Sequence, residues 1–500
     1  MKKLISMLLA IAAAGAVLAS CKTGGANQPG TSDDGSKGNN SGSGTTVTTD
    51  DGLYSADYLP DKTYNNYKLI SVSIQDAPQI NLFKDSESLD KTEVAQYKAI
   101  ERIKEKYKLD IEETYKSSWQ QLSENVESMF ASNLDEADFN MLIQREAWRL
   151  GIMGYLADWD DLIYCDETQP WYIQGINDQQ RVLGYDFVNY TWASISAYGS
   201  ALACYFNQDL VASLQLDSPY DLVDNNKWTV DKQFEMIRAA VSDLNSDGLI
   251  DDNDRVGMVG THDDMYPSMW MGAGFRLVTL DSDGTPAFTA DQNEAFITYL
   301  EKLSDLTNEN SIYNFNRSGM KFYEGDMREG VLRMFKDGKS LFITRTMNTI
   351  IRYGDAEINW GMVPNPKLDD NQKNYISRIC DVWYNECVPA TSAHKEEASV
   401  FIEAYAIESL NYVVDAYYRQ TLQNRYSDEK TKEMLDVVRS SVTLDLGDTI
   451  WQDYCRNFVL NTVTAGDKAF KSTFDSIKIV VASAINRDLK MVEERKSEQG

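Results

Sequence analysis

Residues 67–74 read YKLISVSI, residues 92–107 read TEVAQYKAIERIKEKY and residues 110–115 read DIEETY. The first and third stretches are rich in β-branched and aromatic residues, which is typical of strands. The middle stretch repeats apolar residues every three or four positions from Val94 to Tyr107, which is the period of an amphipathic helix. A strand, a helix and a second strand in this order predict a βαβ unit and a parallel sheet.

The same alternation continues along the chain and predicts an α/β fold in more than one part. Further elements are predicted at 120–131 (helix), 138–143 (strand), 202–206 (strand), 230–241 (helix), 341–344 (strand) and 358–363 (strand). From residue 393 to residue 496 the pattern is mostly helical. The fold class is therefore α/β with a helical C-terminal region, and a second region begins near residue 196.

The charge of the chain excludes several classes of partner. The 500 residues include 48 Lys and Arg against 77 Asp and Glu, a net charge of −29. Broad nucleic-acid binding depends on clustered cations that displace counter-ions, so no nucleic-acid partner is expected. Electrostatic docking on anionic lipid is excluded for the same reason. With only His262 and His394 in the chain, a histidine-rich metal site has almost no ligands.

The first twenty residues have the form of a secretory signal. Lys2 and Lys3 precede an apolar run that ends at residue 19, and residues 18–21 read LASC, which resembles a bacterial lipobox. Cleavage there would leave Cys21 as a lipidated N-terminus that anchors the protein to the outer face of the cell membrane. The alternative is an ordinary signal peptide with a cysteine placed there by chance.

The segment after Cys21 is predicted to be a tether. Residues 22–52 consist mainly of Gly, Ser, Thr, Asn and Asp and cannot bury enough apolar surface to fold. We therefore expect the lipidated cysteine and a flexible Gly/Ser-rich tether to occupy 21–60. No later stretch reaches roughly 18 uninterrupted apolar residues, so the lipid is the only membrane contact expected.

The remaining cysteines do not make a disulfide framework. After Cys21 they are Cys165, Cys204, Cys380, Cys387 and Cys455, an odd number with no Cys-x-x-Cys pair. Free thiols are expected, and oxidation of one pair stays open.

Residues 243–254 read DLNSDGLIDDND, the spacing of an EF-hand-type calcium loop. Gly248 stands at position 6, where the chain must turn sharply, and Ile250 fills the apolar position 8. The predicted ligands are Asp243, Asn245, Asp247, the backbone carbonyl of Leu249, Asp251 and Asp254. Position 12 is Asp instead of Glu, which makes bidentate binding harder. A structural calcium ion is the prediction, and an acidic solvated turn is the alternative.

The chain lacks several common catalytic motifs. The chain contains no Gly-x-Ser-x-Gly, no His-Glu-x-x-His and no Gly-x-Gly-x-x-Gly motif. Gly338-Lys339-Ser340 imitates the end of a P-loop, but Arg333 occupies the upstream glycine position. A carboxylate pair for glycoside hydrolysis stays open, because 77 acidic residues offer too many pairs to rank.

Several short segments carry a family resemblance. They are CYFNQDLV at 204–211, LDSPYDLV at 216–223, KWT at 227–229, GMVPNPK at 361–367, VPAT at 388–391 and FIE at 401–403. In order and spacing this set resembles the extracellular solute-binding proteins of family 1, the lipoproteins that feed sugar-uptake ABC transporters. The resemblance covers residues 65–450, and the calcium-type loop after Trp228 also occurs in many members.

The resemblance implies a type II periplasmic-binding-protein-like fold, with two discontinuous lobes around a central cleft. The first lobe is expected at 61–195, completed by about 325–375. The second is expected at 196–324, including the calcium loop, and completed by about 376–500. The implied activity is capture of a carbohydrate, an oligosaccharide by preference, through hinge closure and without catalysis. The implied partners are the carbohydrate and the permease subunits of an ABC transporter, with the protein acting as a monomer outside the cytoplasm.

The resemblance also directs the search for ligand-binding residues. Aromatic rings pack on the C–H faces of sugars, and planar polar side chains bond to their hydroxyls. The candidates near predicted strand ends and crossovers are Trp119, Arg145, Trp192, Trp270, Arg345, Asp381, Trp383 and Tyr384. Arg145 and Arg345 are placed after strands of the first lobe. Core packing is the alternative for each aromatic residue, and a surface ion pair is the alternative for each arginine.

The sequence leaves two other functions open. The same fold could bind a peptide or another small solute, because the polarity of the cleft is not readable from the sequence. An extracellular lipoprotein glycoside hydrolase is the alternative from another class.

Overall fold

A computed structural model describes residues 46–48, 52–75, 77, 80–82, 86–88, 90–314, 327–349, 358–380, 383–422 and 429–499. The predicted signal at 1–20, Cys21, much of the tether and Asp381 lie outside these residues.

The strands of the described residues are short and are distributed between Thr46 and Thr443. They are β1 (Thr46–Thr48), β2 (Tyr54–Ala56), β3 (Tyr67–Ile74), β4 (Leu109–Lys116), β5 (Phe139–Ile143), β6 (Leu202–Asn207), β7 (Val256–Gly260), β8 (Val278–Leu280), β9 (Pro286–Phe288), β10 (Ile312–Asn314), β11 (Ser340–Thr346), β12 (Trp360–Val363), β13 (Ser377–Arg378), β14 (Tyr384–Cys387) and β15 (Val442–Thr443).

Helices separate most of these strands. They are α1 (Lys91–Tyr107), α2 (Trp119–Ser132), α3 (Gln144–Ile152), α4 (Gln174–Asn177), α5 (Ile195–Gly199), α6 (Gln208–Ser213), α7 (Pro219–Asp224), α8 (Val230–Ala240), α9 (His262–Gly272), α10 (Glu294–Asn308), α11 (Met327–Lys336), α12 (Lys395–Glu408), α13 (Glu429–Ser440), α14 (Arg456–Thr464) and α15 (Phe470–Gln499). Two π-helical stretches, Ser409–Val413 and Ala416–Leu422, follow α12, and short 3₁₀ turns lie at Trp159–Asp161 and Ala290–Gln292.

The first sheet contains β14, β5, β3 and β4 in that order. Strand β3 runs parallel to β4 along its full length and parallel to β5, whereas β14 runs antiparallel to β5. Helix α1 begins where the side chain of Asp90 accepts hydrogen bonds from the backbone N–H groups of Thr92 and Glu93. It ends at Lys108, which adopts a left-handed conformation with φ of 50°. The predicted βαβ unit is confirmed.

The second sheet contains β10, β7, β11, β6 and β12 in that order. Strand β7 is parallel to both β10 and β11. Strand β6 is antiparallel to both β11 and β12. We call each sheet with the helices packed on it a lobe, the first lobe holding β3 and the second holding β6.

The predicted completion is wrong for the first lobe and wrong in part for the second. The segment 325–375 was expected in the first lobe, yet β11 and β12 bond to β6 and belong to the second. The segment 376–500 was expected in the second lobe, yet β14 bonds to β5 in the first. Helix α12 also belongs to the first lobe, where Phe401 stacks on Phe139 at a ring distance of 5.7 Å. The chain thus returns to the first lobe later than the pattern of elements suggests.

The helical C-terminal region is confirmed, and its last helix contacts both lobes. Near its start, Phe474 packs against Phe296 on α10 of the second lobe at a ring distance of 6.0 Å. Near its end, Arg495 donates to the backbone oxygen of Leu156 at 2.6 Å, beyond α3 of the first lobe. Helix α15 therefore ties the two lobes together along its length.

Among the helices of the described residues, none combines the length and hydropathy that a bilayer-spanning segment requires. Within the same residues, no disulfide bond joins Cys165, Cys204, Cys380, Cys387 and Cys455.

Candidate functional site

Two connecting segments run side by side between the lobes. One leads through α5 into β6, and the other leads from β13 to β14. Ala201 pairs with Ile379 in an antiparallel bridge, and the Cys380 N–H donates to the Ser200 carbonyl at 3.3 Å. Farther along, the Ser196 hydroxyl donates to the Tyr384 carbonyl at 3.2 Å. The start of β6 and the start of β14 therefore mark the ends of the two sheets that face this junction.

The facing end of the first lobe gathers three of the predicted residues. Trp119 is the first residue of α2, whose N-terminus is capped by the Ser118 side chain. Arg145 lies in the first turn of α3, directly after β5, and its guanidinium carbon lies 5.0 Å from the centre of the Trp119 ring. Burial raises the pKa of the Tyr384 phenol, and the nearby Arg145 guanidinium partly offsets this rise. All three side chains are partly exposed, and we call them the cleft group.

A small pocket continues from Tyr384 into the first lobe. Its lining includes Glu386 on β14, Gln96 on α1 and Tyr405 on α12. Glu386 shares a face of its strand with Tyr384, because alternate residues of a strand point to the same side. Only 5% of Glu386 is exposed, and burial raises the pKa of its carboxyl. Glu386 is not among the residues predicted from the sequence, although a carboxylate inside a short and otherwise uncharged strand is a readable signal.

The facing end of the second lobe holds a buried ion pair. Arg345 was predicted to follow a strand of the first lobe, but it lies inside β11 of the second sheet. Its Nη1 atom is 2.5 Å from Oδ2 of Asp264 on α9, and the side chains are only 8% and 10% exposed. The Arg345 guanidinium is therefore engaged by its own lobe, not aimed at solvent. The predicted position after a strand of the first lobe is wrong, and the ion pair is buried instead of lying on the surface.

Two predicted aromatic residues belong to the core. Trp270 and Trp383 are both 0% exposed. Trp270 packs edge-on against Phe296 at 6.1 Å, and Trp383 packs edge-on against Tyr190 at 5.6 Å. Neither ring is available to a ligand in this arrangement, so their assignment to the ligand site is wrong.

Trp192 occupies a third setting, in an aromatic cluster. Its ring lies 5.5 Å from that of Tyr198, which in turn contacts Tyr417 at 5.3 Å and Tyr418 at 5.6 Å. Arg439 lies over the rings of Trp192 and Tyr418, at 5.9 Å and 5.1 Å. The cluster joins the segment before α5, the second π-helical stretch and α13. Trp192 is partly exposed and separate from the cleft group.

The predicted calcium loop has the expected turn. Carboxylate oxygens of Asp243, Asp247 and Asp254 lie within 4.8 Å of one another. Gly248 has φ of +84°, and its N–H donates to Asp243 Oδ2 at 2.9 Å. The two carboxylate oxygens of Asp254 accept the backbone N–H groups of Leu244 at 2.8 Å and of Asp251 at 3.0 Å.

The other predicted ligands of the loop make local contacts. Asn245 Oδ1 accepts the N–H of Asp247 at 2.9 Å, and Asp251 Oδ1 accepts the N–H of Asn253 at 2.8 Å. Leu249 at position 7 is 64% exposed, and the motif uses its backbone carbonyl. The loop therefore brings three of its carboxylates together.

Comparisons with known proteins bear on the fold. No family model matches the chain, and no curated protein matches it. Among solved structures, UspC of Mycobacterium tuberculosis aligns with a TM-score of 0.56 and 15% identity, over 83% of this chain and 100% of that one. The maltose/maltodextrin-binding domain MalE of Bdellovibrio bacteriovorus, bound to maltotriose, aligns with a TM-score of 0.51 and 13% identity, over 84% and 100%. An ABC substrate-binding protein of Listeria monocytogenes in complex with cycloalternan aligns with a TM-score of 0.52 and 12% identity, over 84% and 99%.

The last two of these similar structures are binding proteins by name, and all three are matched over nearly their whole length. The resemblance read from the sequence segments is confirmed at the level of fold. The chain therefore has the mixed α/β, two-lobe fold of the sugar ABC solute-binding proteins.

Proposed function

We propose that the protein captures a carbohydrate, an oligosaccharide by preference, between its lobes and delivers it to the permease of an ABC transporter. The observation that carries the proposal is the cleft group at the end of the first lobe that faces the connecting segments. A partly exposed indole offers a flat apolar face to the C–H groups of a sugar. The arginine and the phenol beside it offer hydrogen-bond donors to hydroxyls. Similar structures in complex with maltotriose and cycloalternan support this ligand class.

Capture would follow from differential binding. A ligand that contacts both lobes binds the closed arrangement better and shifts the population toward it. The paired segments at Ala201 and Ile379 are the places where small backbone rotations would move one lobe against the other. No catalytic step is proposed, because capture and release need only this equilibrium.

The wider setting of the proposal comes from the sequence. Lipidation of Cys21 would anchor the protein to the outer face of the bacterial cell membrane, with residues 21–60 as the tether. The body would then act as a monomer and meet the permease subunits from outside the cytoplasm. Whether the bound ligand is a sugar or a peptide decides between this proposal and the alternative peptide receptor.

The proposal is tested by a binding screen combined with product analysis. Isothermal titration calorimetry with maltooligosaccharides, other neutral oligosaccharides and short peptides is expected to show stoichiometric binding of a carbohydrate. Chromatography of the same mixtures is expected to return the sugars intact. Release of shortened sugars would support the glycoside hydrolase, and binding of peptides alone would support the peptide receptor.

A Trp119→Ala variant is expected to bind the carbohydrate at least about tenfold more weakly, because a central aromatic contact is lost. The matched control is Trp360→Ala, which removes another partly exposed indole at the opposite end of the second sheet. Calorimetry of both variants checks the prediction. Equal affinity in the Trp119 variant and the unaltered protein would show that the cleft group is not part of the binding site.

We also propose that the loop 243–254 binds one structural calcium ion. The three neighbouring carboxylates, the backbone geometry at Gly248 and the backbone carbonyl at position 7 match the oxygen ligands that calcium prefers. The ion would relieve the repulsion between the carboxylates of Asp243, Asp247 and Asp254. It would thereby fix the turn between α8 and β7, on the second lobe.

Saturating calcium is expected to raise the melting temperature, since a ligand at about 100 times its Kd adds about 2.7 kcal/mol to the free energy of unfolding. Asp243→Asn is expected to lose this gain, because position 1 of the motif requires a carboxylate. Asp252→Asn removes a charge from the same loop outside the carboxylate group and is expected to keep it. Differential scanning calorimetry with calcium and with chelator provides the measurement. An unchanged melting temperature in chelator would reject the site.

A further inference from the structure

The pocket beside the cleft group contains a buried carboxylate that no cation neutralises within the described residues. Glu386 lines the pocket and is 5% exposed. In the part of the chain that the structure describes, no Lys, Arg or His forms an ion pair with it. Burial raises the pKa of the Glu386 carboxyl, and its own backbone N–H partly offsets this rise. An unpaired buried carboxylate is costly, and proteins seldom keep one without a partner.

Several of the other polar groups of the pocket use their hydrogen-bond donors within the protein. The Asn81 amide donates to Ser73 Oγ at 2.9 Å and to the Ile74 carbonyl at 2.7 Å. The Gln96 amide donates to the Tyr405 hydroxyl at 3.1 Å, and the Ser196 hydroxyl donates to the Tyr384 carbonyl at 3.2 Å. Glu386 adds two acceptor oxygens to the pocket, and these are its only charged acceptors among the lining residues.

Two carboxylates act on the Tyr405 phenol, which lines the pocket. The pKa of Tyr405 is raised by burial first and then by the carboxylates of Glu386 and Glu113. The Arg145 guanidinium acts on Tyr384, the lining residue that the pocket shares with the cleft group. A group that enters the pocket therefore meets acceptors and negative charge, while the cleft group outside offers an aromatic face and a cation.

We propose that this pocket receives the protonated amino group of an amino sugar, with Glu386 as its counter-ion. The inference rests on the proposed carbohydrate-binding function and narrows its ligand class. An ammonium group supplies three N–H donors and the positive charge that Glu386 lacks, and charge-assisted bonds of this kind are the stronger ones. A hydroxyl supplies one donor and no charge. An N-acetylated amine supplies one donor, no charge and greater bulk.

The test uses three disaccharides of one linkage that differ only in the substituent: chitobiose, cellobiose and diacetylchitobiose. The monosaccharides glucosamine, glucose and N-acetylglucosamine form a second matched set. Calorimetry at neutral pH is expected to show the amino sugar of a set binding at least about tenfold more tightly than both neutral counterparts. This comparison uses the unaltered protein and does not depend on the folding of any variant.

Glu386→Gln is expected to bring the three affinities of a set within about twofold of one another, because the amide removes the charge and keeps the shape. Glu105→Gln, on the exposed face of α1, removes the same charge elsewhere and is expected to keep the preference. Equal or tighter binding of the neutral sugars, or a preference that survives in Glu386→Gln, would overturn this inference and leave the proposed function standing. An absence of carbohydrate binding in the whole screen would overturn both. Recognition of a peptide N-terminal amine, with no amino sugar bound, would overturn the assignment to sugars.

Discussion

An Asp448→Asn variant is expected to lose about 3–5 kcal/mol of its free energy of unfolding, because two buried arginines would lose their shared counter-ion. Asp448 Oδ2 accepts from Arg378 Nε at 2.5 Å, and Oδ1 accepts from Arg378 Nη2 at 3.2 Å and from Arg456 Nη1 at 3.4 Å. The Arg378 and Asp448 side chains are each 1% exposed, and that of Arg456 is 8% exposed. Removal of the anion would leave two guanidinium groups buried beside each other.

The measurement is urea unfolding followed by circular dichroism, with the midpoint compared at constant slope. Asp436→Asn is the matched control, since its carboxylate pairs with Arg439 at 3.4 Å on the surface and is 70% exposed. A surface pair of this kind contributes about 0–1 kcal/mol. A loss below about 1 kcal/mol in Asp448→Asn would contradict the assignment. Because Arg378 ends β13, the same pair holds one connecting segment against the second lobe.

The second large effect is a loss of stability as the pH rises, centred on Glu403 of α12. Burial raises the pKa of Glu403 to about 7, against an ordinary value of 4.5, and hydrogen bonds from surrounding groups offset only part of the rise. The donors are the Tyr172 hydroxyl at 2.6 Å, the Trp171 indole at 2.8 Å and the Tyr58 hydroxyl. Asp158 and Asp445 behave in the same way, with burial raising each pKa to about 6.

The direction follows from proton linkage. Between about pH 4.5 and 7 the unfolded chain releases the Glu403 proton while the folded chain keeps it, so the free energy of unfolding falls as the pH rises. Each unit of pKa difference corresponds to about 1.4 kcal/mol, and the share of Glu403 is therefore a few kcal/mol. Glu403→Gln fixes the neutral state and is expected to flatten this fall.

Urea midpoints at about pH 5 and about pH 8 provide the check, with Glu105→Gln as the exposed control. The quantity compared is the change in urea midpoint between the two pH values. This change is independent of any constant cost of the substitution. Parallel pH profiles for Glu403→Gln and the unaltered protein would show that Glu403 titrates at its ordinary pKa in the folded state.

The segments that identified the fold in the sequence hold the structure together. The Trp228 indole donates to the Pro364 carbonyl at 2.8 Å, and the Val230 N–H donates to the Lys367 carbonyl at 2.8 Å. Two segments that carried the resemblance thus bond to each other. Asn207 caps α6 through the N–H of Leu210, at 3.0 Å. Such residues are predictable because their roles are local or packing roles, which leave a recurring pattern in the chain.

The assignment of late segments to lobes was not predictable in the same way. The residues of β11 and β14 read as strands, but the choice of neighbour depends on hydrogen bonds to residues more than a hundred positions away. The same limit applies to the ligand site. Trp119 and Trp270 are alike in type and in nearness to helices, and only the packing of distant elements leaves one exposed and buries the other.

The discontinuous first lobe has a consequence for the order of folding. The sheet of the first lobe lacks one edge strand until the chain has been made as far as Cys387, the end of β14. Helix α12 is complete only at Glu408. The contact between Leu156 of the first lobe and Arg495 forms when almost the whole chain is present. Pairings across such long separations are slow to form, and incomplete sheets expose unpaired edges. The unfinished first lobe is therefore the form of this protein that most needs protection by a chaperone, and a chain truncated before β14 is expected to aggregate.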